Sequence, residues 1–166
     1  MPFFPSPCAL LARQFVPVVT ACAATLKTDC LLDCGPVFLP PLAGINVLQW
    51  SESAENKRRW QVPLAVSCFA LSQLAPEALT ARLEVMHSTA RFVLLADFKV
   101  AERNLEAPAC LLMGGIKRLT SPLSSRFSSC GGLEGLLYEE RERFAVRERH
   151  TLLGGALTCL LAECLP

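Results

Sequence analysis

The residues of this chain with chemistry to offer collect at the ends of apolar runs. Ser67 and Cys68 close one run, Ser72 and Gln73 lie just beyond it, Asp97 and Lys99 end another, and Asp33 ends a third. In an α/β fold the carboxyl ends of parallel strands open onto the crevice where ligands sit, so hydroxyls, a thiol and carboxylates placed there suit the orientation of a bound molecule. Asp97 reads in two ways: as a group that orients a substrate or a water, or as a cap for the segment after it. His150 reads as a general base or as a surface or capping residue. Trp50 and Trp60 flank the charged segment SESAENKRR, and either stack on a ligand ring or pack at the rim of the core. The run Glu139-Glu140-Arg141-Glu142-Arg143 has the mixed charge of a solvated helix face, and Tyr138 beside it carries no special context.

Nine cysteines invite a disulfide or metal reading, but there is no C-x-x-C, and His87 and His150 lie far from the pair Cys30 and Cys34. Ligands for a structural metal come at short, regular spacings, so no metal is expected. An odd number of cysteines inside apolar runs reads as reduced, buried thiols, which implies a reducing cytoplasm.

The elements that must position these groups alternate between strand and helix. Val62 to Leu71 is an apolar run, Pro76 and Glu77 open a helix, and Phe92 to Phe98 is a second run. Strand, helix and strand in that order make a parallel βαβ unit. Val62–Phe69 and Phe92–Asp97 are therefore expected to be adjacent, parallel and central, with Leu79, Leu83 and Met86 packed on them. Cys30–Cys34 is a short strand ending in Asp33 and Gly35, and Ile45–Gln49 is another. Glu102–Leu119 contains helical stretches broken by Pro108 and Gly114-Gly115, while Ser121–Ser129 is a serine-rich loop. Leu133–Glu142 is a short helix, and two last strands, Phe144–Arg149 and Ala156–Glu163, meet around Leu153-Gly154-Gly155. At the amino terminus Pro7 starts an amphipathic helix in which Leu10, Leu11, Gln14, Phe15 and Val18 recur at helical spacing. Pro17 should bend or end it. The same segment lacks the basic region of a secretory signal.

A chain of 166 residues is expected to be one domain, spanning 1–166. Sixteen Lys and Arg against fifteen Asp and Glu leave a net charge of +1, so no field favours nucleic acid or an anionic membrane. Apolar residues make up 52% and the mean hydropathy is +0.37, as a sheet covered on both faces requires. No apolar run reaches the roughly eighteen residues of a spanning helix.

Cys68-Phe69-Ala70-Leu71-Ser72-Gln73-Leu74 and Arg91-Phe92-Val93-Leu94-Leu95-Ala96-Asp97-Phe98 resemble the patterns S-F-A-L-H-x-L and R-x-L-L-A-D-Y of class I S-adenosylmethionine-dependent methyltransferases. There such segments form the fourth and fifth strands, with a proline-started helix between them. Gly131 to Leu137 and Glu148 to Leu157 resemble the end of bacterial members. The resemblance implies a shortened α/β fold: an open, mostly parallel Rossmann-like sheet of about six strands with an antiparallel edge strand and helices on both faces. It implies methyl transfer from S-adenosylmethionine to a small molecule by in-line attack on the activated methyl group. The alternative is a degenerate domain of the same fold that acts as an interaction or regulatory protein. Such transfer needs mostly positioning and desolvation, so no catalytic residue is assigned.

In that family the first strand is followed by D-x-G-x-G-x-G. This chain has Leu31-Leu32-Asp33-Cys34-Gly35-Pro36-Val37-Phe38-Leu39-Pro40-Pro41: Asp33 and Gly35 match, the later glycines do not, and the prolines oppose a helix directly afterwards. Between Gly35 and Val62 there is room for one strand, so a strand–helix unit is missing. If Ile45–Gln49 is the family's second strand, Gln49 or Glu52 stands near its ribose-binding acid. If it is the third, the preferred alignment, Ser53-Ala54-Glu55-Asn56 borders the adenine and no ribose acid remains. The residues the resemblance assigns to the cofactor are Asp33, Gly35, Ser53, Ala54, Cys68 and Phe69, with S-adenosylmethionine bound weakly or lost.

Overall fold

In a computed structural model that describes residues 7–35, 39–50, 62–99 and 125–166, the chain runs α1 (Pro7–Thr25), β1 (Cys30–Asp33), β2 (Asn46–Gln49), β3 (Val62–Cys68), a 3₁₀ turn (Leu71–Gln73), α2 (Pro76–Thr89), β4 (Ala90–Phe98), α3 (Ser125–Ser129), α4 (Leu133–Glu139), β5 (Phe144–Leu152), a second 3₁₀ turn (Leu153–Gly155) and β6 (Leu157–Cys164). The strands form one sheet in the order β2-β1-β3-β4-β6-β5. The first four are mutually parallel, and β6 runs antiparallel to both β4 and β5.

As expected, β3 and β4 are adjacent, parallel and central, in register from Val62↔Ala90 to Cys68↔Ala96. The crossover between them begins with Pro76 in the first turn of α2, where a missing N–H costs nothing. Glu77 beside it complements the positive end of the helix. Leu79, Leu83 and Met86 then face the sheet over Leu32, Ala65, Val93 and Leu95, and Phe127, Leu133, Leu136 and Leu137 complete that layer. On the opposite face Phe15, Val19 and Cys22 of α1 cover Leu31, Leu64, Val66, Leu94 and Leu161. Fully burying a leucine or phenylalanine contributes about 1.5 to 3 kcal/mol, so the two layers carry most of the stabilisation.

Two local expectations are revised for physical reasons: α1 does not end at Pro17, and Ser125–Ser129 is not loop. Pro17 lies inside α1, yet the helix runs on to Thr25. An interior proline costs a helix about 3 kcal/mol, but Pro17 is exposed while Phe15, Val19 and Cys22 are buried against the sheet, and their burial outweighs that cost. Ser125–Ser129 is helix rather than loop, because Phe127 is drawn fully into the α2 layer. The helical stretches expected in Glu102–Leu119 lie outside the described residues.

Between α3 and α4 the chain turns at Gly131 and Gly132, both with positive φ. Gly135 in α4 then passes so close to Cys130 that a Cβ there would meet the Cys130 carbonyl oxygen at 1.5 Å. Gly135→Ala should therefore push α4 off the corner and cost about 1 to 3 kcal/mol. Urea denaturation of that variant beside the parent chain measures it, and an unchanged midpoint would mean that the corner is not this tight.

Candidate functional site

The carboxyl end of β1 is organised by Asp33, which is fully buried. Its Oδ1 accepts the N–H of Gly35 at 2.9 Å and its Oδ2 that of Leu39 at 2.7 Å. Gly35 and Leu39 are thus both held to this carboxylate, and Leu39 and Leu42 plug into the α1 face of the core. Burial pushes the Asp33 carboxyl above its ordinary value, against the pull of the two N–H groups. The folded state then holds this proton to higher pH than the unfolded chain. Its contribution to stability is greatest below the ordinary aspartate range and declines as pH rises through the raised value.

Trp50, just past β2, donates its N–H to the Asp33 carbonyl at 2.9 Å, and Cys34 donates to the Val66 carbonyl at 2.8 Å. Arg82 reaches across from α2, donates to the Cys34 carbonyl oxygen, and lays its guanidinium 4.0 Å from the centre of the Trp50 ring. Of the two readings of Trp50, packing is the one realised on that face, as a cation–π contact. Trp60 lies outside the described residues.

The ends of β3 and β4 are tied together by Asp97, also fully buried. It accepts the Ser72 N–H at 2.9 Å, the Ser72 hydroxyl at 2.7 Å and the Phe98 N–H at 2.8 Å. Asp97 thus ties the 3₁₀ turn after β3 to the end of β4, and the segment after Lys99 that it would cap lies outside the described residues. Phe69 takes a left-handed backbone, φ +54°, with its N–H on the Ala96 carbonyl. That conformation costs an L-residue roughly 1 to 2 kcal/mol, and it is held by complete burial and by the Phe98 ring at 5.2 Å. Ser67, 1% exposed, carries the one buried side-chain oxygen among the described residues without a hydrogen-bond partner.

Asp33, Gly35, Cys68 and Phe69 thus come together at the adjoining ends of β1 and β3, whereas Ser53 and Ala54 lie outside the described residues. The Cys68 thiol is pushed well above its ordinary value, first by burial and then by Asp33, which leaves it a poor nucleophile. Burial likewise pushes Cys34 and Cys159 up to about 12. Cys22, Cys30, Cys34, Cys68, Cys130, Cys159 and Cys164 are free. His150 stands on β5, with Nε2 3.2 Å from a Glu148 oxygen. Glu140 bridges Arg126 at 2.9 Å and Arg143 at 3.5 Å, while Glu139, Arg141 and Glu142 are exposed as a solvated face should be.

Beside this edge, where β4 ends and β6 begins, a cavity of about 330 Å³ opens against α4. Phe98, Lys99, Cys130, Leu133, Glu134 and Tyr138 are among its lining residues. Tyr138 and Glu134 gave no sign of this in the sequence, because they share the cavity with Lys99 only through the packing of α4 beside β4.

No family model and no curated protein matches the chain. Solved structures do. PigF with bound SAH superposes with a TM-score of 0.59 at 12% identity, over 95% of this chain and 64% of its own. The methyltransferase domain of bacterial CtHen1-C gives 0.59 at 14% identity, over 94% of this chain and all of its own. Magnesium protoporphyrin IX methyltransferase (ChlM) from Synechocystis PCC 6803 with bound SAH gives 0.54 at 10% identity, over 95% of this chain and 83% of its own. The chain has a class I methyltransferase-like fold. It spans 64% of PigF and only 57% of TnmH, a further structure with a TM-score of 0.59.

The sheet order corrects one alignment. In a doubly wound sheet of order 3-2-1-4-5 the neighbour of the first strand is the second, and β2 pairs with β1 from Cys30↔Asn46 to Asp33↔Gln49. Asn46–Gln49 therefore takes the place of the second strand and not the third. Gln49 ends that strand, an amide near the position of the ribose acid, and Glu52 lies outside the described residues. The described residues at this edge do not fit S-adenosylmethionine. Asp33 is fully buried with each oxygen already accepting an N–H, from Gly35 and Leu39, the Cys34 carbonyl accepts from Arg82, and the same guanidinium lies over the Trp50 ring.

If Asp33 serves the loop, Asp33→Ala should lower stability by about 1 to 3 kcal/mol, the cost of leaving buried N–H groups unpaired. Ser67→Ala removes a hydroxyl that has no partner and should be neutral or stabilising. Chemical denaturation of both variants decides: a neutral Asp33→Ala contradicts the loop-holding role, and a destabilised Ser67→Ala would mean that the hydroxyl is paired after all.

Proposed function

We propose that this chain is a methyltransferase-fold domain that has given up tight cofactor binding and acts as an interaction or regulatory protein. The observation that carries this reading is the self-contained Asp33 carboxylate, with both oxygens bound to its own loop beneath the Arg82–Trp50 contact. Losing one charged hydrogen-bond partner costs a ligand about 1.5 to 3 kcal/mol, and each 1.4 kcal/mol is about tenfold in affinity. A glycine-poor turn weakens the site further. Any remaining affinity depends on Asp33 and the Gly35 backbone, with the adenine near the Cys68–Phe69 strand end; the place of Ser53 and Ala54 beside it fell with the third-strand alignment.

The cavity between β4, β6 and α4 favours a second reading, methyl transfer to a small molecule. Its mixture of Phe98 and Leu133 with Lys99 and Glu134 suits an amphipathic acceptor. No helix among the described residues is long and apolar enough to cross a membrane. A reducing cytoplasm is proposed from the free thiols.

Calorimetric titration with S-adenosylmethionine and S-adenosylhomocysteine should give dissociation constants near the millimolar range, about a thousandfold weaker than a micromolar site. A low micromolar constant that Asp33→Ala leaves unchanged would overturn the reading and move the pocket elsewhere. Thiol titration of denatured protein prepared without reductant should count at least the seven cysteines described as free. A lower count points to disulfides and another compartment.

A further inference from the structure

The spacing of cysteine and histidine in the sequence gives no metal motif, but the fold brings together residues that are far apart along the chain. Cys22 near the end of α1, and Glu148 and His150 on β5, place a sulfur, a carboxylate oxygen and a ring nitrogen all within 4.8 Å of one another. Glu148 and His150 are two residues apart on a strand, so they project to the same side. Cys22 belongs to the α1 layer on that side, as does Cys159, the ladder partner of His150. The cluster straddles the boundary of the core: Cys22 is 3% exposed, His150 is half-buried and Glu148 is exposed. An ion can therefore enter from solvent and still be held by a buried sulfur.

We propose that Cys22, Glu148 and His150 form a binding site for a divalent transition-metal ion, with zinc the best match. Thiolate, imidazole and carboxylate together select zinc or cobalt over magnesium and calcium, which prefer oxygen alone. Three protein ligands leave one of the four tetrahedral positions to water. On binding, the Cys22 thiol gives its proton to solvent, and the sulfur–metal bond replaces the S–H bond. The dication then neutralises the thiolate and the Glu148 carboxylate, and the Glu148–His150 pair opens so that both groups turn to the ion. The result is a clamp between α1 and the outermost strand of the sheet. This site is independent of the cofactor edge and stands whether or not the domain binds S-adenosylmethionine.

The test uses the whole chain, reduced and stripped of metal with a chelator, and titrated with cobalt(II) followed by zinc(II). One equivalent of cobalt should produce the near-ultraviolet charge-transfer band of a thiolate-bound ion, and zinc should abolish it. The band should vanish in Cys22→Ser and persist in Cys164→Ser, a half-buried thiol away from the cluster. His150→Ala and Glu148→Gln change solvent-facing residues, and circular dichroism checks that they fold. Each should weaken cobalt affinity at least about tenfold, the lower end of what losing even a supporting residue does to a metal site. The absence of a band at one equivalent, its persistence in folded Cys22→Ser, or unchanged affinity in either His150→Ala or Glu148→Gln would overturn the proposal. Should Cys22→Ser fail to fold, the two surface variants decide alone.

Discussion

β3 and β4 run parallel, and no tight turn can join parallel neighbours. The chain has to cross back to the edge from which it started, and α2 makes that crossing. Covering the pair with α2 on one face and α1 on the other leaves both strands dry. A dry strand end is an expensive place for a polar group, because a buried donor or acceptor without a partner loses its full hydration. The two buried aspartates answer that cost. Asp97 gathers Ser72 and Phe98 around it, and Asp33 gathers Gly35 and Leu39. Each strand end is therefore closed by the residue that ends it.

This closure sets stability against binding. A ligand site at the carboxyl edge needs donors and acceptors that are positioned but still available. Here Asp33 spends its carboxylate locally, and Arg82 takes the next carbonyl while its cation covers the nearest aromatic face. Ser67 is the exception, a buried hydroxyl left without a partner. By the alternation of a strand it shares the face of Ala65, which lies in the α2 layer, so it belongs to the core side of β3. The edge is well satisfied as a piece of protein interior, and it is on that property that the proposed loss of tight cofactor binding rests.

What could be read from the sequence was what local physics decides. The apolar runs around Val66 and Leu94, with Pro76 between them, suffice for β3, α2 and β4 because length, patterning and a helix-start signal agree. The two glycines at 154 and 155 likewise marked the final antiparallel return. Position within the sheet was not legible in the same way. Whether Asn46–Gln49 follows β1 as its neighbour or one place farther out depends on which edge of β1 is free, and nothing within those four residues encodes it. Pro17 does not end α1, because propensity is a local cost that burial of Phe15, Val19 and Cys22 overrides. At the site, Asp33, Gly35, Cys68 and Phe69 could be placed together from their strand ends. Their hydrogen-bond partners could not, since Arg82 meets Cys34, and Cys22 meets His150, only through tertiary packing.

Among the described residues the sheet ends at β2 on one side and at β5 on the other, which raises the question of how these edges stay unpaired. An open edge strand is a template for association, and short length or charge is the usual protection. β2 is four residues long, with Asn46 and Gln49 exposed and Val47 and Leu48 half-buried, so its outer side offers little length and little apolar surface. The opposite edge uses the other device. β5 carries Arg147, Glu148 and Arg149 in an exposed row, and its register shifts between Val146 and Glu148. Charges and an irregular ladder oppose addition of another strand there. The described sheet thus ends at β2 without a long apolar edge, while its central pair stays buried from both sides by α1 and α2.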